Sequence, residues 1–229
     1  MMTQMDIISR SAWGARPATK TSKLHSFDHG WFIHWLGGPY SAQMTDEQVL
    51  QSVQRYHQTT KGWRDIAYSF AVGRSGRVFE LRGWGTAGGH TSGSEGGKSR
   101  NFNSMAIVFL IGEGETATPE MLVAASQLMA EGETRGYSAD KVRPHNEVVS
   151  TACPGSQLTA WAQAYEHKEI TSMDKTTATA IVKETYTAIL EREADAEGLA
   201  YWVDRIVGGL PISEIRWAFM FVRLAAISA

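Results

Sequence analysis

Two residues near position 150 have the chemistry of metal ligands. His145 and the only cysteine of the chain, Cys153, stand eight residues apart in the polar segment 143–155, which also contains two prolines. Zinc accepts neutral imidazole and thiolate together, and a catalytic zinc usually has three protein ligands with water in the fourth position. The segment therefore predicts two ligands of a zinc site, and a third ligand must come from elsewhere in the chain.

The spacing leaves the third ligand open among the other histidines. These are His25, His29, His34, His57, His90 and His167. His34 is distinctive because it interrupts an otherwise apolar run, where an imidazole needs a partner. In the alternative interpretation, Cys153 is a small buried thiol before a Pro-Gly turn and His34 is a hydrogen-bonded core histidine.

Short apolar or alternating runs predict the strands that position these residues. Four such runs, bounded by glycine and polar residues, cover 31–36, 66–72, 77–81 and 105–111. Strands mixed with helices indicate an α/β sheet covered by helices, and the pattern leaves the strand directions undetermined.

Two helices are predicted, one between the strands and one after the last of them. Thr45 and Gln48 occupy the positions of a capping box, and Thr118 followed by Pro119 is typical of a helix start. The apolar sides of the two helices carry Val49, Leu50, Val53 and Tyr56, and Leu122, Ala125, Leu128 and Met129.

The pattern changes near Lys168, and we divide the chain into domains at 1–168 and 169–229. The tail predicts three short helices separated by Gly198 and by 208–211. Their apolar residues are Val182, Tyr186 and Ile189, then Leu199, Trp202, Val203 and Ile206, then Ile215, Phe219 and Val222. Asp195 and Glu197 have the spacing of two calcium-loop ligands, but the segment does not supply the further oxygen ligands of such a loop. We therefore expect Asp195 to cap the next helix.

Composition limits the partners. The chain has 229 residues, 43% of them hydrophobic, with 22 basic and 24 acidic side chains. A net charge of −2 disfavours nucleic-acid binding, which needs a basic surface. No apolar run approaches the roughly 20 residues of a membrane-spanning helix, and residues 1–10 carry no signal-peptide pattern. We therefore expect no membrane insertion and synthesis in a cytoplasm.

Residues 8–161 resemble the zinc-dependent N-acetylmuramoyl-L-alanine amidase family, which includes peptidoglycan recognition proteins and phage amidase endolysins. The markers are Trp13-Gly14-Ala15-Arg16, Phe32-Ile33-His34, the segment 65–70, Arg82-Gly83-Trp84, Gly89-His90-Thr91 and the loop 145–155. In the tail, segment 186–202 is similar to a domain of unknown function found in wall-associated proteins.

The resemblance implies a fold and a site. The expected fold is a central mixed β-sheet flanked by helices, with a small C-terminal domain of three helices. His34, His145 and Cys153 are implied to hold Zn²⁺, with Tyr68 beside the metal's water and Thr151 lining the site. Some phage members have lysine at the position of Thr151. For Tyr68, the alternative is a strand aromatic packed into the core.

A glycine-rich segment, 83–97, has seven glycines in fifteen residues and predicts a loop at the edge of the site. We expect His90 and Thr91 to contact glycan or stem peptide, and Trp35 and Trp84 to offer apolar faces for sugar stacking. Trp35 follows the ligand where many relatives have another histidine. The alternatives are a solvated connector for the loop and core packing for the tryptophans.

The implied reaction is hydrolysis of the amide between the lactyl group of N-acetylmuramic acid and L-alanine in peptidoglycan. Without a signal peptide, we expect a monomeric phage or prophage endolysin that reaches the wall after holin-type release. Two alternatives remain at this point. One is a peptidoglycan-binding module without turnover, and the other is a protein with structural zinc that acts on a protein partner.

Overall fold

The computed structural model describes residues 5–38, 44–165 and 174–207, together with Ile215 and Phe219. The described residues form two compact units, one within Met5–His167 and the other in the tail that follows Lys168.

A six-stranded mixed sheet forms the centre of the larger unit. In chain order its strands are β1 (Ile7–Ile8), β2 (Trp31–Gly37), β3 (Phe70–Val72), β4 (Val78–Glu80), β7 (Met105–Gly112) and β8 (Val142–Pro144). The short pair β5 (Ser94–Glu95) and β6 (Lys98–Ser99) forms a separate antiparallel hairpin. The order across the large sheet is β1-β4-β3-β7-β2-β8. Strand β2 runs parallel to both β7 and β8, whereas β3 and β4 are antiparallel, so the expected mixed sheet is confirmed.

The four predicted strands are present, but the second is shorter than expected. It begins at Phe70 and not at Ile66. The Ile66 amide donates to the Asp65 carboxylate at 2.8 Å, and the Ile66 carbonyl accepts from Arg82 Nε at 2.6 Å. Because side chains satisfy these backbone groups, they are not available for pairing with a neighbouring strand.

Three helices cover the sheet: α1 (Asp46–Arg55), α2 (Pro119–Glu133) and α3 (Ser156–Gln163). The capping box is confirmed, since Thr45 Oγ1 accepts from the Gln48 amide and Gln48 Oε1 accepts from the Thr45 amide. Tyr56 was expected on the apolar side of α1 but is 47% exposed. The helix changes there to a π-helical turn, Tyr56–Thr60, which rotates the side chain away from that face.

The two faces of the sheet pack against different helices. Alternate residues of β2, such as Trp31 and Ile33, join the core beneath α2. The opposite face of the sheet packs against Val49 and Leu50 of α1. His34 therefore belongs to the face of β2 opposite that of Ile33.

The tail unit contains α4 (Lys175–Leu190) and α5 (Ala196–Val207), which contact each other. Asp195 Oδ1 accepts from the Gly198 amide at 2.8 Å, so its predicted capping role is confirmed. The predicted break at Gly198 is wrong, because Gly198 lies in the first turn of α5 and the chain turns at Glu191, which has φ of 53°.

The third predicted tail helix lies mostly outside the described residues. Ile215 and Phe219 are helical and buried, and the Phe219 ring packs edge-on against Tyr186 at 4.7 Å. Val222 is outside the described part. Among the helices that the structure describes, none is long and apolar enough to cross a membrane.

Candidate metal centre

Parallel pairing of β8 with β2 brings two histidines together. Ile33 lies opposite Pro144 in the register of the two strands, and His34 and His145 are the next residue on each. The imidazole centroids are 4.3 Å apart. His34 is only 1% exposed, and His145 begins a short 3₁₀ turn, His145–Glu147, at the end of β8.

Cys153 joins the two histidines from the loop that precedes α3. Its sulfur lies 3.6 Å from His34 Nδ1 and accepts a hydrogen bond from the Trp35 amide at 3.4 Å. Thr151 Oγ1 accepts from the Cys153 amide at 3.2 Å, which fixes the backbone just before the sulfur. Strand β2 thus contributes one ligand directly and positions a second through its backbone.

The geometry of the three donors fits a zinc ion. One ligand atom from each of His34, His145 and Cys153 lies within 4.8 Å of the others, and these three form the metal-type cluster found among the described residues. Ordinary Zn–S and Zn–N bond lengths at a tetrahedral angle give an N···S separation of about 3.6 Å. His145 Nδ1 is buried without a hydrogen-bond partner, as expected of a nitrogen oriented to receive a metal.

Electrostatics favour the ligand form of both imidazoles. Burial, with further contributions from His90 and His145, holds the pKa of His34 well below its usual value. Burial also lowers the pKa of His145. Both rings are therefore neutral at neutral pH and carry a free lone pair.

The Cys153 thiol depends on a cation to ionise. Burial raises its pKa to about 12, and the hydrogen bond from Trp35 opposes this only in part. A bound metal ion reverses the balance, since a coordinating thiol is deprotonated outright. The chemistry of the donor set therefore matches zinc.

The two predicted catalytic residues have different surroundings. The half-buried Tyr68 ring lies beside His34, with a centroid separation of 5.1 Å. Thr151 is exposed, and its hydroxyl is engaged with the Cys153 amide. The structure thus brings Tyr68 to the cluster, while Thr151 shapes the loop that carries a ligand.

The predicted substrate-contacting residues divide between the two faces of the sheet. His90 and Thr91 are buried, and His90 Nδ1 lies 3.2 Å from His34 Nε2. The Trp84 ring instead packs with Trp31 and Phe70 beneath α2, on the face opposite His34. The structure does not bring Trp84 to the cluster.

The Trp35 ring also belongs to the α2 face. It packs with that core and against Gly155, and only its backbone reaches the Cys153 sulfur. The sequence pattern could not separate these tryptophans from sugar-stacking ones, because the face on which each ring lies depends on the register of the whole sheet.

An open groove of about 650 Å³ runs beside the cluster, and several residues of its wall were not predicted from the sequence. His145, His90 and Thr91 line it. Further lining residues include Lys20, Trp63, Arg64, Arg82 and Asn101. Trp63 is 40% exposed, an unusual fate for tryptophan, and its place after Gly62 in a polar segment was the available signal.

Comparison with known proteins identifies the larger unit. Residues 29–156 match the family profile of N-acetylmuramoyl-L-alanine amidase, which spans the three clustered ligands. The chain belongs to this amidase family. Residues 164–221 match a second profile, a domain of unknown function (DUF4214), in agreement with the resemblance expected of the tail.

Relatives of this amidase-family chain are peptidoglycan recognition proteins. It is 34% identical over 165 residues to protein SC1a of Drosophila melanogaster, covering 70% of this chain and 86% of the relative. It is 36% identical over 166 residues to protein 1 of Mus musculus, covering 70% and 88%.

Solved structures of such relatives share the fold. Drosophila peptidoglycan recognition protein LB superposes with a TM-score of 0.62 at 30% identity, covering 72% of this chain and 97% of that one. Protein LE, solved in complex with tracheal cytotoxin, a monomeric diaminopimelic acid-type peptidoglycan, gives 0.62 at 30%, covering 72% and 96%.

Proposed function

We propose that the protein is a zinc-dependent N-acetylmuramoyl-L-alanine amidase that cleaves the amide between N-acetylmuramic acid and L-alanine in peptidoglycan. The observation that carries the proposal is the cluster of His34, His145 and Cys153, with the unpartnered His145 Nδ1, beside an open groove. Three protein ligands leave a fourth position for water or substrate, which is typical of catalytic and not of structural zinc.

The residues around the cluster would divide the work of hydrolysis. When bound, zinc would polarise the amide carbonyl and lower the pKa of a water molecule toward 7. His34, His145 and Cys153 would hold the ion at the edge of the groove. The Tyr68 phenol, beside His34, would donate a hydrogen bond to the carbonyl oxygen as negative charge develops there.

The groove suits a muramyl peptide. Lys20, Arg64 and Arg82 supply positive charge for peptide carboxylates, and the exposed ring of Trp63 offers an apolar face. The relative LE carries a peptidoglycan fragment in its solved complex, which supports the same substrate class for this chain.

The biological setting is the finer part of the proposal. We propose a lytic role on bacterial walls, as for a phage or prophage endolysin, with the tail unit binding the wall. The separate tail unit and its own family match support a modular role for it. The lytic role is tested by measuring the fall in turbidity of a suspension of killed cells. Wall sedimentation of the chain with and without residues 171–229 tests the tail, and equal binding would contradict wall targeting.

The enzymatic proposal is tested by measuring zinc content and the release of free L-alanine amino termini from purified peptidoglycan. The full chain is compared with Cys153→Ser and His145→Asn, which remove ligands. His25→Asn makes the same change at an exposed histidine outside the cluster.

We expect about one zinc per chain and amine release in the wild type and in His25→Asn, and loss of both in the ligand variants. Zinc with wall binding but no amine release in the wild type would identify a recognition module in place of an enzyme. Absence of zinc from the wild type after supplementation would contradict the metal centre itself.

A further inference from the structure

The two ring nitrogens of His34 face different partners. Nδ1 lies 3.6 Å from the Cys153 sulfur, on the side of the proposed zinc, and Nε2 lies 3.2 Å from His90 Nδ1. A histidine that binds metal through Nδ1 must keep that lone pair free and carry its proton on Nε2. The group that accepts a hydrogen bond from Nε2 therefore determines whether the Nδ1 lone pair of His34 is free to bind the metal.

A chain of hydrogen bonds determines whether His34 Nε2 donates to His90 or accepts from it. Ser104 Oγ lies 2.6 Å from the Arg100 carbonyl, and because a carbonyl only accepts, the Ser104 hydroxyl must donate to it. Its single proton is then used, so Ser104 can only accept from His90 Nε2, which lies 3.4 Å away.

The tautomer of His90 follows from this donation. The ring is 6% exposed, and its nitrogens contact His34 and Ser104, neither of which is an anion that would compensate a buried imidazolium. A neutral His90 with its proton on Nε2 presents the Nδ1 lone pair to His34. His34 then donates from Nε2 and directs its own lone pair, on Nδ1, toward Cys153.

The backbone around His90 holds this ring in place. Asn101 Oδ1 accepts from the amides of His90 and Thr91, at 2.9 and 3.1 Å. The Phe32 ring lies 5.7 Å from the His90 ring and limits its rotation. With these contacts holding the ring, its two nitrogens face His34 and Ser104 inside the protein.

We propose that His90 is a positioning residue that selects the metal-binding tautomer of His34 through the series Arg100 carbonyl, Ser104, His90, His34. Outer partners of this kind commonly orient metal-ligating histidines. The inference rests on the proposed zinc site. It assigns His90 a role distinct from the substrate contact expected from the sequence.

The test uses the full chain and two measurements. Zinc affinity is measured by competition with a chelator, and the tautomer of His34 is read by ¹⁵N NMR in the metal-free protein. His90→Phe keeps a ring but removes the acceptor, and His90→Asn restores an acceptor oxygen near the position of Nδ1. Ser104→Ala leaves the His34 contact but removes the hydroxyl that His90 Nε2 contacts. His29→Phe is the control, because it makes the same change at another buried histidine, whose ring is hydrogen-bonded to the Lys98 carbonyl.

We expect wild-type His34 to be protonated on Nε2, and His90→Phe to bind zinc about 10- to 100-fold more weakly with a mixture of His34 tautomers. His90→Asn should recover most of the affinity, Ser104→Ala should lie between the two, and His29→Phe should match the wild type. Equal affinity and an unchanged tautomer in His90→Phe would overturn the inference, as would a wild-type His34 protonated on Nδ1. Failure of the wild type to bind zinc would instead overturn the proposed function, because the metal-free tautomer is measured separately.

Discussion

The Trp35 ring lies directly against Gly155, so a Cβ added at Gly155 would meet Trp35 Cζ3 at 2.6 Å. Gly155 also has φ of +84°, a conformation that other residues adopt only at a cost. Both residues are tied to Cys153, since the Trp35 amide donates to its sulfur and Gly155 follows it by two positions. The position of the thiolate ligand therefore depends on this close packing.

Gly155→Ala should lower both stability and zinc affinity. Positive φ and collision with the indole together should reduce the free energy of unfolding by about 2–4 kcal/mol. Gly114→Ala is the matched control, because Gly114 has φ of +83° but no atom within 4 Å of an added Cβ. It should lose only the conformational contribution, about 1–2 kcal/mol, and keep its zinc affinity. Equal losses in urea unfolding would show that the Trp35 contact contributes nothing.

Tyr68→Phe should separate catalysis from metal binding. The ring packing beside His34 is kept while the hydroxyl is lost. We expect unchanged zinc content and a fall in kcat of about 10²- to 10³-fold, the usual cost of removing a donor to a developing oxyanion. Tyr137→Phe, on the α2 side of the sheet, is the control and should retain full activity. Loss of zinc from Tyr68→Phe would reveal a structural role, and full kcat would exclude Tyr68 as the donor.

His57 should make the protein less stable in mild acid. Burial, together with Arg82 and Lys61, lowers its pKa from 6.5 to about 4 despite the opposing charge of Asp65. Between pH 6.5 and about 4, His57 is therefore protonated in the unfolded chain but not in the folded chain. The free energy of unfolding consequently falls as the pH decreases through this range.

The contribution of His57 is measured by replacing it with asparagine, whose side-chain oxygen can accept from the Ala67 amide as Nδ1 does at 3.3 Å. The free energy of unfolding in urea, followed from pH 7.5 to 4 with a chelator present, should fall less steeply for His57→Asn. The difference in slope should reach at most about 1.4 kcal/mol per pH unit, the value for one proton. Parallel curves for the two proteins would refute this role.

Local features of the site and fold could be predicted from the sequence because they depend on neighbours in the chain. The cap at Thr45 needs only Gln48, and His34 is conspicuous because the residues around it are apolar. The loop from His145 to Cys153 contains two ligands within nine residues. The family motifs added the third ligand, which spacing alone had left open.

Features that depend on long-range pairing could not be predicted. The partners of His90 follow from how the segment around Asn101 folds back on it, which no local pattern encodes. The burial of Trp84 on the far face follows from sheet register, and the exposure of Trp63 follows from the groove beside it. The surroundings of these residues could be determined only from the three-dimensional structure.

Gly198 in the tail unit offers a test of helix packing that opposes helix propensity. Alanine is normally about 1 kcal/mol better than glycine within a helix. A Cβ at Gly198, however, would collide with Tyr186 Oη, and the Tyr186 ring is held by Phe219 at 4.7 Å. Gly198→Ala should therefore destabilise the tail by about 1–3 kcal/mol, as overpacking does.

The role of the hydroxyl in that collision is tested with Tyr186→Phe, which removes Oη and leaves Cζ as the nearest ring atom, 3.2 Å from the added Cβ. The cost of Gly198→Ala should shrink in that background, giving a coupling of about 0.5–3 kcal/mol in a double-mutant cycle. Hydrogen exchange of amides in α4 and α5, measured in the full chain, reports the stability of this unit without relying on the larger one. Strict additivity of the two substitutions would mean that the helix accommodates the methyl group by moving away from Tyr186, and that the hydroxyl is not what requires glycine at this position.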